Sequence, residues 1–154
     1  MKLVFGHDAA IADWTARHIA HVNRDFGPCS AIGVVDGNRP LAGVVYHDYQ
    51  PEYGTMQVSI AAISPRWAQK GIIYALLSYP FDQIGIYKLW SAIPMKNERS
   101  LKFNLGIGFK QEGILAHHFG KDHAVISRMF RKDFEKRYKE IRVGKIEPIA
   151  TIAS

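Results

Sequence analysis

A single cysteine, Cys29, stands among 154 residues, which excludes an internal disulfide and any metal site built on cysteine thiolates. Its place in an apolar run after Gly27 and Pro28 suits a small buried side chain, and no positioned base accompanies it to make a nucleophile. Long apolar runs are also missing. Lys, Arg, Asp, Glu or His interrupts every stretch before the roughly 18 residues that a membrane-crossing helix needs. His7 and Asp8 arrive too soon for a secretory apolar segment, so the expected location is cytoplasmic. No repeat, low-complexity tract or Pro/Ser linker divides the chain. One domain is expected over residues 1–142, followed by an extended or disordered tail over 143–154.

Acidic residues are outnumbered, 14 against 20 Lys and Arg, for a net charge of +6. The excess gathers late, in Arg128, Arg131, Lys132, Lys136, Arg137, Lys139 and Arg142. Three readings stand side by side. Asp133, Glu135 and Glu140 can pair within a solvated helix; the run can attract an anionic cofactor; or it can contact nucleic acid.

The coarse pattern alternates helix and strand. Helical spacing of Ile11, Trp14, His18 and Ile19 predicts a helix over 8–21, with Asp8 as its cap. Two apolar runs, 29–36 and 41–49, flank the turn sequence GNRP and predict a hairpin. A strand follows over 55–63, then the loop SPRWAQKG and a helix over 72–84 that Pro80 should kink. A buried strand over 87–94, a helix over 98–105, a hairpin over 108–130 and a basic helix over 133–141 complete the order. Alternation in the middle implies a partly parallel sheet with antiparallel pairs at both ends.

The strand–loop–helix unit around Gly71 carries the first chemical signal. Helix-opening N–H groups attract anions, Gly71 lets the main chain come close, and Lys70 adds charge. Taken alone, the same loop is explained by a tight structural connection between strand and helix. The second signal is the run Asn97-x-x-Ser100 followed by Gly108-Phe109 and Glu112-Gly113. With Ile63, Ser64-Pro65 and the Gly71 loop before it, this resembles the GNAT acetyltransferases, especially their ribosomal-protein and protein-N-terminus branch, from about residue 31 to 134.

The resemblance implies a GNAT fold, a mixed splayed central sheet of about six or seven strands flanked by helices. It implies an N-acetyltransferase that uses acetyl-CoA as acyl donor, transferring directly to an amine such as a protein N-terminus or lysine. By the same resemblance, Ala61, Ala62 and Ile63 would pair with the pantetheine arm. Ala68, Gln69, Lys70, Gly71, Ile72 and Ile73 would surround the pyrophosphate. Asn97 and Ser100 would lie at the thiol end, as cofactor contacts and as the catalytic pair that steadies the leaving group. No metal is expected. A GNAT-fold module that has lost the reaction, or one that binds or modifies nucleic acid, remains the alternative.

The chain departs from the family at three places. Ala68 replaces a long polar residue and Ile73 a small one in the loop. Asn104 occupies the position of the usual tyrosine acid. No carboxylate lies on strand 55–63 to act as base, which leaves His47, Asp48, Glu52, Tyr53, His117, His118 and His123 as candidates. A two-histidine metal site with Asp122 matches no established spacing.

Overall fold

The computed structural model describes residues 1–19, 25–142 and 151–153. Chain order runs β1 (Lys2–Phe5), α1 (Asp8–Arg17), β2 (Cys29–Asp36), β3 (Arg39–Gln50), β4 (Thr55–Ala62), α2 (Lys70–Ser78), β5 (Lys88–Pro94), α3 (Glu98–Ile107), β6 (Lys110–Phe119), β7 (Asp122–Phe130), α4 (Arg131–Arg137), α5 (Lys139–Arg142) and β8 (Thr151–Ala153). The strands form one mixed sheet in the order β6-β7-β5-β4-β3-β2-β1-β8. Seven strands and the three-residue edge strand β8 make up this sheet. β8 runs parallel to β1, and the rest of the expected tail, residues 143–150 and 154, lies outside the described residues.

Two layers of helix sandwich the sheet. On one face, α1 lies across β2 and β3. It ends at Arg17, and residues 20–21 of the longer expected helix lie outside the described residues. Asp8 does not cap this helix. His7 is the cap residue, and the Asp8 carboxylate instead accepts the Ala31 N–H at 2.9 Å, tying α1 to β2. Thr15, fully buried, lies so close to Gly43 that a Cβ there would collide with its hydroxyl, so Gly43 sets how closely the helix approaches the sheet.

On the other face, α2, α3 and α4 close the main core around Tyr46, Met56, Leu76, Phe81, Leu89, Met129 and Phe134. Phe81 and Phe134 stack at 5.0 Å between ring centres, and each contributes about 1.5–3 kcal/mol by burial. Pro80 does interrupt the second helix. Past Ser78 the backbone widens into a π-type turn over Tyr79–Ile84, closed by left-handed Gly85. No helix among the described residues is long and apolar enough to cross a membrane.

Candidate active site at the parted strands

β4 and β5 are parallel neighbours for only three residue pairs, Thr55–Lys88, Met56–Leu89 and Gln57–Trp90. Beyond these, β4 continues against β3 as far as Ala62, and β5 continues against β7 as far as Pro94. The sheet therefore opens between them. The Gly54 carbonyl accepts from Tyr87 and Lys88 on the β5 side, whereas the Ile63 N–H donates to Leu41 on the β3 side. The Gln57–Trp90 pair uses the Val58 N–H, and alternation along the strand then turns the C=O of Val58 and the N–H and C=O of Ile60 and Ala62 toward the opening. Of the expected trio, Ala61 and Ile63 direct theirs to β3, and only Ala62 faces the gap.

Helix α2 starts where β4 ends. A 3-10 turn over Pro65–Trp67, capped by the Ser64 hydroxyl, leads into it and buries Trp67 against Phe103. Among the five loop amides, Gln69 N–H donates to Trp67 and Ile73 N–H to Gln69. Lys70, Gly71 and Ile72 are the first three helical residues, and no side chain caps them. Their N–H groups point out of the helix with its positive dipole end. Three amides of the expected five are thus left open at the helix start. Ile73 is 5% exposed and points inward, where it separates a small apolar cavity from an outer cleft. The cavity, of about 20 Å³, is lined by side chains including Val58, Ile60, Trp67, Leu89 and Phe109.

The outer cleft, about 440 Å³, lies between the loop, the end of α3 and the C-terminal helix. Ala68, Lys70, Gly106, Ile107, Arg137 and Tyr138 border it with Ile73. Tyr138 donates its hydroxyl to the Ile107 carbonyl at 2.9 Å, and Arg137 donates to that of Gly106, so α4 is pinned against α3. Left-handed Gly108, with φ 114°, admits this approach, since a Cβ there would stand 2.6 Å from the Arg137 side chain. Sequence reading missed Arg137 and Tyr138 as site residues because they were submerged in the basic run. Elsewhere in that run, Arg128 pairs with Glu112 and Asp133, Arg131 with Asp82 and Glu135, and Arg142 with Asp82.

Asn97 and Ser100 open α3, just past the end of β5. The Asn97 side-chain oxygen accepts the Ser100 N–H at 3.1 Å and caps the helix. Asn104 is buried instead of facing the cleft. Its oxygen accepts from the hydroxyls of Ser91 at 3.1 Å and Ser127 at 2.7 Å, beneath α3. His117 and His123 hold the turn of the last hairpin, whereas the His118 ring packs edge-on against Phe119. His117 N–H donates to the His123 ring at 2.8 Å, and its own ring meets the Gly120 carbonyl. The described residues contain no group of three or more side chains able to hold a metal. Asp48, Glu52 and Tyr53 are exposed at the β3–β4 turn, and Tyr53 is 72% exposed.

His47 differs from the other histidines. It is half-buried on β3, on the α1 face of the sheet, with Nε2 2.9 Å from the Ser59 hydroxyl of β4 and its ring against Phe26. Burial lowers its pKa from the ordinary histidine value, opposed in part by the Asp48 carboxylate. Burial, with the charges of Asp8 and Asp25, raises the pKa of the neighbouring Cys29 thiol and keeps it protonated.

Strand order, helix placement and the parting of β4 from β5 define the GNAT fold. No protein-family model matches the chain, and no curated protein matches it in sequence. Among solved structures, a chimera of the spermidine N-acetyltransferase SpeG from Vibrio cholerae and hSSAT superposes with a TM-score of 0.69 at 13% identity, over 87% of this chain and 99% of that one. Spermidine/spermine N-acetyltransferase SpeG from Vibrio cholerae in complex with manganese ions gives 0.68 at 13%, over 88% and 96%. A point mutant of the Vibrio cholerae enzyme gives 0.60 at 16%, over 71% and 69%. At these identities the likeness is one of fold.

Proposed function

We propose that the chain is an N-acyltransferase that moves an acetyl group from acetyl-CoA directly to an amine. The parting of β4 and β5 after Gln57 and Trp90, beside the uncapped start of α2, carries this reading. It supplies in one place an open strand edge and an anion site, the two features that a pantetheine arm and a pyrophosphate require. Acetyl-CoA supplies the activated thioester. The amides of Lys70, Gly71 and Ile72 would hold its pyrophosphate, with Lys70 and Arg137 adding positive charge from the cleft and Ala68, Gln69 and Ile73 forming the wall.

Val58, Ile60 and Ala62 would hydrogen-bond the arm, and a β4 N–H at the start of the opening would stabilise negative charge developing on the carbonyl oxygen. Asn97 and Ser100, at the start of α3, would contact the arm or hydrogen-bond the departing sulfur. Direct transfer needs no protein nucleophile, which agrees with a Cys29 thiol kept protonated.

The neighbours are named for spermidine, whereas the sequence resembles enzymes of protein termini. The net charge of +6 repels a polyamine in bulk and favours the anionic donor, so the acceptor is assigned here only as an amine. Calorimetric titration with acetyl-CoA, followed by mass spectrometry of spermidine, a lysine peptide and a peptide with a free α-amine, tests the function. Heat of binding and an acetylated amine are expected. No heat and no thermal shift at millimolar acetyl-CoA would leave the chain as a partner-binding module.

A further inference from the structure

We propose that His47, through the Ser59 hydroxyl, takes the proton that the acceptor amine must lose before attack, an assignment that rests on the N-acyltransferase reading. The placement follows from register. Gln57 is the last β4 residue paired with β5, and Ser59 lies two residues further on the same side-chain face. Continued pairing would set Ser59 opposite Ala92, but the strands have separated there. The Ser59 hydroxyl therefore stands at the edge of the opening, on the face away from the apolar cavity that Val58 and Ile60 line. On the same face of β5, half-buried Trp90 ends the paired stretch and half-buried Ala92 follows it across the gap. His47 sits behind Ser59, with Nε2 at 2.9 Å from its oxygen.

The chemistry suits a relay. An amine arrives mostly as an ammonium ion and has no lone pair until a base removes a proton. With hydrogen on Nδ1, His47 accepts the Ser59 O–H at Nε2. As Ser59 Oγ takes a proton from the ammonium, its own hydroxyl proton passes to His47, which becomes imidazolium. The freed nitrogen bonds to the thioester carbonyl carbon, the C–S bond breaks, and a second nitrogen proton ends on the sulfur. His47 then returns its proton to water.

The ionisable groups around His47 allow this role. On β2, Cys29 is its register partner and is protonated; Asp25 and Asp8 act on that thiol from the preceding segment and from α1; Asp48 follows on its own strand; Gln57 and Ser59 on β4 are neutral. Burial favours the neutral imidazole at physiological pH. His117 and His123, by contrast, are engaged with each other and with the Gly120 carbonyl in the β6–β7 turn.

The test uses the full chain with acetyl-CoA and the three amines named above, in wild type, His47→Gln, Ser59→Ala and Ser59→Thr. Wild type should show an acid limb in kcat/KM whose pKa equals that of the His47 ring measured by NMR. His47→Gln should lose the limb and about 100-fold in kcat, with acetyl-CoA affinity by calorimetry within twofold of wild type. Ser59→Ala should lose a similar factor and shift the His47 titration, and Ser59→Thr, which keeps the hydroxyl, should recover most of the rate. A purely structural His47 would lower Tm without moving the limb. Should His47→Gln not fold, the Ser59 pair and the NMR titration of wild type decide alone. An acid limb that persists in His47→Gln, or full activity in Ser59→Ala, overturns the relay while leaving the acyltransferase intact. A wild type that acetylates none of the amines overturns the function itself, and the relay with it.

Discussion

The buried Tyr46 hydroxyl donates to the Leu76 carbonyl at 2.6 Å, joining the middle of β3 to the end of α2. In a regular helix that carbonyl would receive the N–H of residue 80, and Pro80 has none. The strand therefore supplies the hydrogen bond that the proline removes. Tyr46→Phe leaves the carbonyl unsatisfied and should cost about 1–2 kcal/mol in urea denaturation at neutral pH.

The same tyrosine sets an alkaline limit. Burial holds its pKa well above the ordinary value of 10. The unfolded chain releases this proton first, so stability is fully present below pH 10 and falls as pH rises above it. Tyr46→Phe should flatten that decline, measured as the denaturation midpoint between pH 9 and 11.

The parted strands predict a pattern of amide exchange. Ile60 and Ala62 N–H groups open toward the gap, while Ala61 and Ile63 are directed to β3. By NMR, the first pair should exchange quickly in the free protein and slow at least tenfold with saturating acetyl-CoA, and the second pair should be protected throughout. Equal protection of all four without ligand would contradict the opening.

At the start of α2, Gly71→Glu places an anion among the three uncapped amides. Acetyl-CoA binding should weaken at least tenfold, about 1.4 kcal/mol, with Tm little changed because the residue lies in the first turn at the surface. Lys70→Ala should lose less, and the difference should shrink as salt rises. Calorimetry at two ionic strengths checks both. Equal affinity in wild type and Gly71→Glu would move the pyrophosphate elsewhere.

Asn104 gives a contrast between position and role. Asn104→Ala removes the acceptor shared by the Ser91 and Ser127 hydroxyls beneath α3, leaving them only each other at 2.7 Å, and should destabilise the fold by about 1–2 kcal/mol. The pH profile of transfer should keep its shape, as expected of a residue that binds the sheet and holds no reacting proton.

Local pattern determined much of this protein. Apolar runs bounded by turn residues marked β2 to β5 and β7, helical spacing marked the apolar side of α2, and Asn97 marked the start of α3, because each signal depends on neighbours a few residues apart. β1 escaped notice because Lys2–Phe5 is only four residues long, too short to show a period. Tertiary structure decided the rest. Asp8 looked like a cap by sequence and became a tether, because the Ala31 N–H arrived from β2. Ala61, Ala62 and Ile63 looked equivalent as an apolar strand end, yet only hydrogen-bond parity against β3 determines which one faces the opening. The cleft joins Lys70 to Arg137, and the pair His47–Ser59 exists only in one register of β3 on β4. Neither is readable along the chain, since side-chain type records what a residue can do and chain closure decides which partner it meets.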